Sequence, residues 1–274
     1  MTNHLIIDQD FKTQFRTAAR ANGKLYENTI TAFYTELGAD WPTGTIVIDG
    51  GAHAGMHSLP LAALPSVERV IAVEASPATF AAFQSKLRGA KNGAKVDLHQ
   101  VAIQADPSVE TVEFVHSQTH PGRSGINPLT RGKDGVEFEP PTVVPATTID
   151  KLSASVESRV RFIKLDLEGG EFAALQGGKE TLRAGRASCV FETGKHAPAM
   201  NGYAPDDVLL FMESVQFRLA NFFGEPITPE TLASARYGWA FPIEEFDEQC
   251  DRLRRLVVAA LQSQPRSEAA CTAA

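Results

Sequence analysis

Between residues 45 and 103 the chain alternates short β-branched runs with amphipathic stretches, and the first two runs end in acids or glycines. TIVID (45–49) leads into Gly50-Gly51, and MHSLPLAAL (56–64) reads as a helix despite Pro60. RVIAVEA (69–75) is a second strand, ATFAAFQSKLRG (78–89) a helix closed by Gly89, and KVDLHQVAI (95–103) a third strand. Short apolar runs bounded by turn residues read as buried strands. Strands alternating with helices build a mostly parallel sheet covered on both faces. Ligands of such sheets bind beyond the C-terminal ends of the strands, so residues at those ends are the ones placed to do chemistry.

The flanking sequence fits around this unit. Residues 10–38 carry aromatics and leucine at helical spacing until Trp41-Pro42-Thr43-Gly44 breaks the pattern. After the third strand the alternation stops. TVEFVH (111–116) and PTVVPAT (141–147) read as strands separated by residues 117–140, a stretch with no helical period. A loop of that length is expected to be functional, here a lid over a substrate. RFIKLDLEGGE (161–171) restores the buried-strand pattern, followed by a helix over EFAALQGGKETL and a strand over ASCVFE (187–192). DDVLLFMESV (206–215) is a helix and FRLANFF (217–223) a strand. Residues 243–262 place Ile243, Phe246, Cys250, Leu253, Val257 and Leu261 on one helical stripe, either core or a homodimer contact. The tail 263–274 is expected to be disordered.

Charge and cysteine usage narrow the partners. With 26 basic and 33 acidic residues the net charge is −7. That surface lacks the basic excess used to bind nucleic acid or an anionic membrane. Cys189, Cys250 and Cys271 form no CxxC pair, which excludes zinc-knuckle and thioredoxin-type motifs and suits a reducing compartment. MTNHLIIDQD has no basic segment leading into an apolar run, and no run approaches the ~18 residues that span a bilayer, so the expected location is the cytoplasm.

The chemistry concentrates at three strand ends. The first is Asp49-Gly50-Gly51-Ala52-His53-Ala54-Gly55, a DxGAxxG loop rather than the GxGxxG of a dinucleotide site. An acid there repels a pyrophosphate and attracts a cation, which points to a ligand with an ammonium and a sulfonium, S-adenosylmethionine. The second is Glu74, placed 25 residues after Asp49 to accept hydrogen bonds from two ribose hydroxyls. The third is IKLDLEGGE (163–171): Lys164 and Asp166 share a strand face by period two, with Glu168 and Glu171 following at a helix start. Charges in a buried strand are costly unless paired or used. Glu192 ends the next strand, with Lys195 and His196 just beyond.

Four blocks in order, IVIDGGAHAG, VIAVEASP, TTIDKL and FIKLDLEGGEFAALQGG followed by CVFE, resemble the FkbM-type S-adenosylmethionine-dependent methyltransferases over roughly residues 45–195. The resemblance implies a Rossmann-like class I methyltransferase fold, an α/β architecture whose mostly parallel seven-stranded sheet has one antiparallel strand and helices on both faces. It implies methyl transfer to a hydroxyl of a small molecule, sugar or secondary metabolite, with S-adenosyl-L-methionine as cofactor. Asp49, Gly51, Ala52, Gly55 and Glu74 match cofactor positions, and Ala75 and Ala102 are assigned beside them. Asp166, Glu192 and His196 are the candidate general bases, and Ser124, Lys164 and Glu168 the candidate acceptor contacts. His53 departs from the asparagine frequent in the family. No metal is assigned, although Asp166, Glu168 and Glu192 offer oxygen ligands for a divalent cation.

The expected organisation is an N-terminal helical cap (1–40), an S-adenosylmethionine-binding domain (41–224) and a C-terminal helical extension with its tail (225–274). A small-molecule acceptor is the expected partner, with neither nucleic acid nor membrane. An N-methyltransferase, an NAD-dependent oxidoreductase of similar fold and a non-catalytic cofactor-binding module are the competing readings.

Overall fold

A computed structural model describes residues 5–117, 124–126, 138–193 and 202–264. The N-terminal segment forms two helices, α1 (Gln9–Ala21) and α2 (Leu25–Gly38), broken at Asn22-Gly23. Asp8 caps the first by accepting the Phe11 N–H at 2.8 Å. The alternating unit follows as β1 (Thr45–Gly50), α3 (Ser58–Ala63), β2 (Val67–Val73), α4 (Pro77–Leu87) and β3 (Val96–His99). The expected single strand over 95–103 is divided, because β4 (Ala102–Ile103) leaves the main sheet. It joins β5 (Thr111–Phe114) and β6 (Thr142–Thr147) in a small sheet of order β4-β6-β5.

The short helix α5 (Ile149–Leu152) leads to the central strand β7 (Val160–Leu165), and then α6 (Glu171–Gln176) and α7 (Lys179–Gly185) replace the single helix expected there. The break falls at Gly177-Gly178, and a Cβ at position 177 would overlap the carbonyl oxygen of Gln104. The chain continues through β8 (Ser188–Glu192), α8 (Pro205–Ser214), β9 (Phe217–Asn221), α9 (Pro229–Leu232), β10 (Tyr237–Pro242) and α10 (Phe246–Gln262).

The main sheet has seven strands in the order β3-β2-β1-β7-β8-β10-β9. The pairs from β3 to β8 are parallel, and β10 runs antiparallel to both of its neighbours. This is the class I methyltransferase sheet with its one reversed strand. It also corrects the expected boundary at residue 224. YGWAFP is a fully buried strand wedged between β8 and β9, so the region expected to be only a helical extension also contributes the strand that completes the sheet, with the helix α10 following it. Strands inserted late in the chain are hard to recognise when a proline and a glycine sit in the run.

Alternation along the strands divides the core into two faces. Ile46, Ile48, Ile163, Leu165, Cys189 and Phe191 pack with α6, α7 and α8. Val47, Phe162, Val190, Trp239 and Phe241 pack on the other face with α1, α2 and α10. The N-terminal helices are therefore part of the main core. Phe33 lies 4.4 Å from Trp239 and 5.7 Å from Phe241 between ring centroids. In the C-terminal helix Phe246, Cys250, Leu253 and Val257 are buried, whereas Ile243 is exposed. Among the described residues no helix is long and apolar enough to cross a membrane.

Phe33→Ala tests whether the N-terminal segment is integral to the fold. Removing this fully buried ring should destabilise the whole chain by about 3–5 kcal/mol. Urea denaturation followed by tryptophan fluorescence reports it through Trp239. A midpoint equal to that of the wild-type chain would make α1 and α2 a detachable cap.

Candidate functional site

The DxGAxxG segment forms a tight turn against the β7 end. Gly51 has φ +75° and sits so close to the chain after β7 that a Cβ would overlap the Asp166 carbonyl oxygen. The N–H groups of Gly51 and Ala52 both donate to the Val73 carbonyl at 2.9 Å, tying the loop to the end of β2. Glu74 then takes the His53 N–H on Oε2 and the Ser76 N–H on Oε1, each at 2.9 Å. Burial raises its pKa, and the two backbone hydrogen bonds work in the opposite direction.

These elements enclose a cavity of about 350 Å³. Of the residues expected to bind cofactor, Gly51, Ala52, Glu74, Ala75 and Ala102 line it. Ser124, Lys164, Asp166 and Glu168 line the same space. Asp49 and Gly55 do not. The Asp49 carboxylate faces away beneath the loop, accepting the Ser58 hydroxyl at 2.5 Å and lying 3.8 Å from the Lys164 ammonium. Gly55 (φ +74°) leaves room for the Phe83 ring. Strand alternation sends Asp49 to the α2 face, where its carboxylate lies beside the charge of Lys164.

Lys164 is 5% exposed, and its ammonium lies 3.4 Å from Asp166 Oδ2. Burial favours the neutral amine, but Asp166, Asp49 and Glu27 together outweigh it and raise the pKa, so the group stays charged. Glu192 is outside the cavity lining, yet Asp166, Glu168 and Glu192 bring carboxylate oxygens within 4.8 Å of one another. Burial and then the charge of Asp166 push Glu192 up to about 7, against the pull of Arg236. His196 and most of the loop 117–140 lie outside the described residues. Of the described residues of that loop, Ser124 and Ile126 reach the cavity. Ser124 Oγ accepts the Ser117 N–H at 3.0 Å, and Ser124 and Ile126 line the wall.

Three residues that were not expected at the site support or line it. Glu171 was expected as a helix-start acid. It is buried and accepts the Leu167 N–H at 2.7 Å and the Gly169 N–H at 3.0 Å, bracing the DLEGGE turn, and burial pushes it up to about 8. His57 lines the cavity, with Nε2 2.7 Å from Glu27 Oε2. Glu27 comes from α2, and no spacing rule links it to residues beyond 45. The histidine could have been flagged by its place eight residues after Asp49, at the start of α3.

A reversed seventh strand, a glycine turn after the first strand and a buried acid after the second are the features of the class I methyltransferase fold. The chain belongs to the FkbM methyltransferase family: residues 49–219 match the methyltransferase FkbM domain. No curated protein matches the sequence. The structure is similar to methyltransferase FkbM from Methylobacillus flagellatus KT, at 17% identity and TM-score 0.45 over 72% of this chain. The chain spans 43% of that protein's length. It is also similar to the N-terminal domain of human METTL16 in complex with SAH, at 15% identity and TM-score 0.42 over 80% of this chain and 70% of that one. For the human methyltransferase 10 domain containing protein the values are 14% and 0.40, over 80% and 82%.

The raised carboxyl of Glu192 has a thermodynamic consequence. Its folded pKa of about 7 exceeds the model-peptide value of 4.5, so between those pH values the folded chain holds a proton that the unfolded chain releases. Its contribution to stability is therefore present at low pH and lost as pH rises through 7. Glu192→Gln, which mimics the protonated acid, should flatten the decline and stabilise the chain relative to wild type by about 1–3 kcal/mol at pH 8. Denaturant titrations of both proteins at pH 5 and pH 8 measure the difference, and parallel pH profiles would refute it.

Proposed function

We propose that the protein is an S-adenosylmethionine-dependent methyltransferase acting on a hydroxyl of a small molecule, sugar or secondary metabolite. The observation that carries this reading is the meeting, in one cavity, of Glu74 and Asp166. Each Glu74 oxygen accepts one backbone N–H and keeps acceptor capacity for a ribose hydroxyl. Val101, Ala102, Ile103 and Ile126 supply an apolar wall for an adenine ring, and Gly51 lets the ligand approach the backbone. A cavity of about 350 Å³ is within the usual range for a ligand of this size. The residues present therefore fit the cofactor.

When bound, S-adenosylmethionine supplies an already activated methyl group. What remains for the chain is to bind, align and take up a proton. Asp166 is a carboxylate at the cavity surface, held from behind by Lys164 at 3.4 Å. Lys164 is charged and cannot itself accept a proton. Asp166 accepts the hydroxyl proton as general base, with Glu192 next in line within the carboxylate cluster. A neighbouring cleft of about 660 Å³ shares Ile126 and Gly170 with the cavity and receives the body of the acceptor. Phe172 and Tyr203, 4.6 Å apart, give that cleft an aromatic wall suited to a sugar or aryl ring. The buried free thiols of Cys189 and Cys250 accord with a reducing, cytoplasmic setting.

Calorimetric titration with S-adenosylmethionine and NAD side by side tests the reading. Only the former should bind, and binding of NAD alone would restore the oxidoreductase. Glu74→Ala should weaken S-adenosylmethionine by about 10–150-fold with the circular dichroism spectrum unchanged. Asp166→Asn should lower kcat by about 100-fold or more in single-turnover assays while shifting cofactor affinity by less than about tenfold. An Asp166→Asn enzyme with wild-type kcat and a lowered Tm would reduce that residue to a partner for Lys164.

A further inference from the structure

We propose that Glu27, on α2 and outside the family-matched residues, is a positioning residue for the cofactor cavity that acts through His57. The inference rests on the reading that this cavity takes S-adenosylmethionine. Glu27 Oε2 lies 2.7 Å from His57 Nε2, and its Oε1 accepts the Tyr237 hydroxyl at 2.9 Å. The other ring nitrogen of His57, Nδ1, is 3.5 Å from the Tyr34 hydroxyl. Both nitrogens are engaged, so the orientation of the ring is set. That ring, 2% exposed, is part of the cavity wall beside Ala54 and Met56.

The charge on Glu27 is secure. Burial would raise its pKa, but the hydrogen bond and charge of His57, then Lys164, then the Tyr237 hydroxyl bring it down to about 2. Glu27 is thus an anion at any working pH, facing both Lys164 and His57, the two basic groups through which α2 can influence the cavity. The plainer explanation is a bolt holding α2 to the body of the protein. Yet Ile30, Phe33 and Tyr34, all fully buried, already hold that helix. A part-buried carboxylate–imidazole contact adds little net stability over an apolar one of the same size. What Glu27 adds that apolar packing cannot is a fixed histidine on the ligand side.

The test uses full-length protein and S-adenosylhomocysteine as probe, with Kd from calorimetry and Tm from the same preparations. Glu27→Gln keeps size and hydrogen-bonding capacity but removes the charge, and should weaken binding about tenfold. His57→Gln should do the same, and the double variant should bind no worse than either single one, the signature of two residues acting as a unit. Glu27→Asp retains charge but falls one methylene short. It carries the same expectation of weaker binding, and so the same test, if Glu27→Gln does not fold. A wild-type Kd with a lowered Tm in these variants would leave Glu27 as a bolt and overturn the proposal. Fully additive losses in the double variant would also overturn it, because Glu27 would then act independently of His57. A wild-type chain that binds neither S-adenosylhomocysteine nor S-adenosylmethionine overturns the cofactor reading itself, and this inference with it.

Discussion

An ammonium group at the centre of a sheet must be neutralised where it stands, since leaving it unpaired out of water costs several kcal/mol. Lys164 is that group. Its neighbour across the β1–β7 register is Asp49, whose carboxylate is fully buried and lies 3.8 Å away. Asp166 answers it at 3.4 Å from the turn after β7, and Glu27 adds its field from α2. One charge thus binds together the first strand, the central strand and the DLEGGE turn. The glycine turn follows from the same closeness: with Asp166 drawn in, its backbone leaves no room for a side chain at position 51.

The carboxylates around Lys164 share a buried setting and differ in what faces them. Glu27 has a side chain 19% exposed, and His57, Lys164 and Tyr237 pull its pKa down to about 2 despite burial. Glu192, at 26%, meets Asp166 on one side and a solvent-facing Arg236 at 3.8 Å on the other, and stands near 7. Glu171 has two backbone N–H donors and no cation, and stands near 8. Burial raises all three, and the cations and hydrogen-bond donors facing each decide how much of that is offset. Within one site the protein keeps one acid permanently ionised and two that hold a proton near neutrality, a division suited to proton transfer.

Much of this was legible in the residues. The alternation from 45 to 103 and the buried runs at 161–165 and 187–192 required a parallel sheet, and the strand-end rule picked out Glu74, Lys164 and Asp166, all of which line the cavity. The same rule did not show that Asp49 turns away from the cavity, because it reports which residue ends a strand and not which face the side chain takes. The strand Tyr237–Pro242 escaped notice because a glycine and a proline sit in the run and its composition is aromatic and small rather than β-branched. Helices predicted as continuous broke at Asn22-Gly23 and Gly177-Gly178, where glycine accommodates close packing or a turn.

Local pattern therefore determined the fold class, the family blocks and the ligand-facing acids, since each depends on residues close in sequence and on the period of a strand. The Glu27–His57 contact spans 30 residues and the Tyr237–Glu27 bond 210. Neither has a periodicity to betray it. Both arise because strand alternation turns Asp49, Lys164, Glu192 and Tyr237 toward the face that α2 covers, and α2 reaches that face through the ring packing of Phe33 on Trp239. Helix-on-sheet docking is decided by the summed burial of many apolar side chains, a property of the folded surface as a whole, and it is that docking which brings an acid from outside the family blocks to the wall of the site.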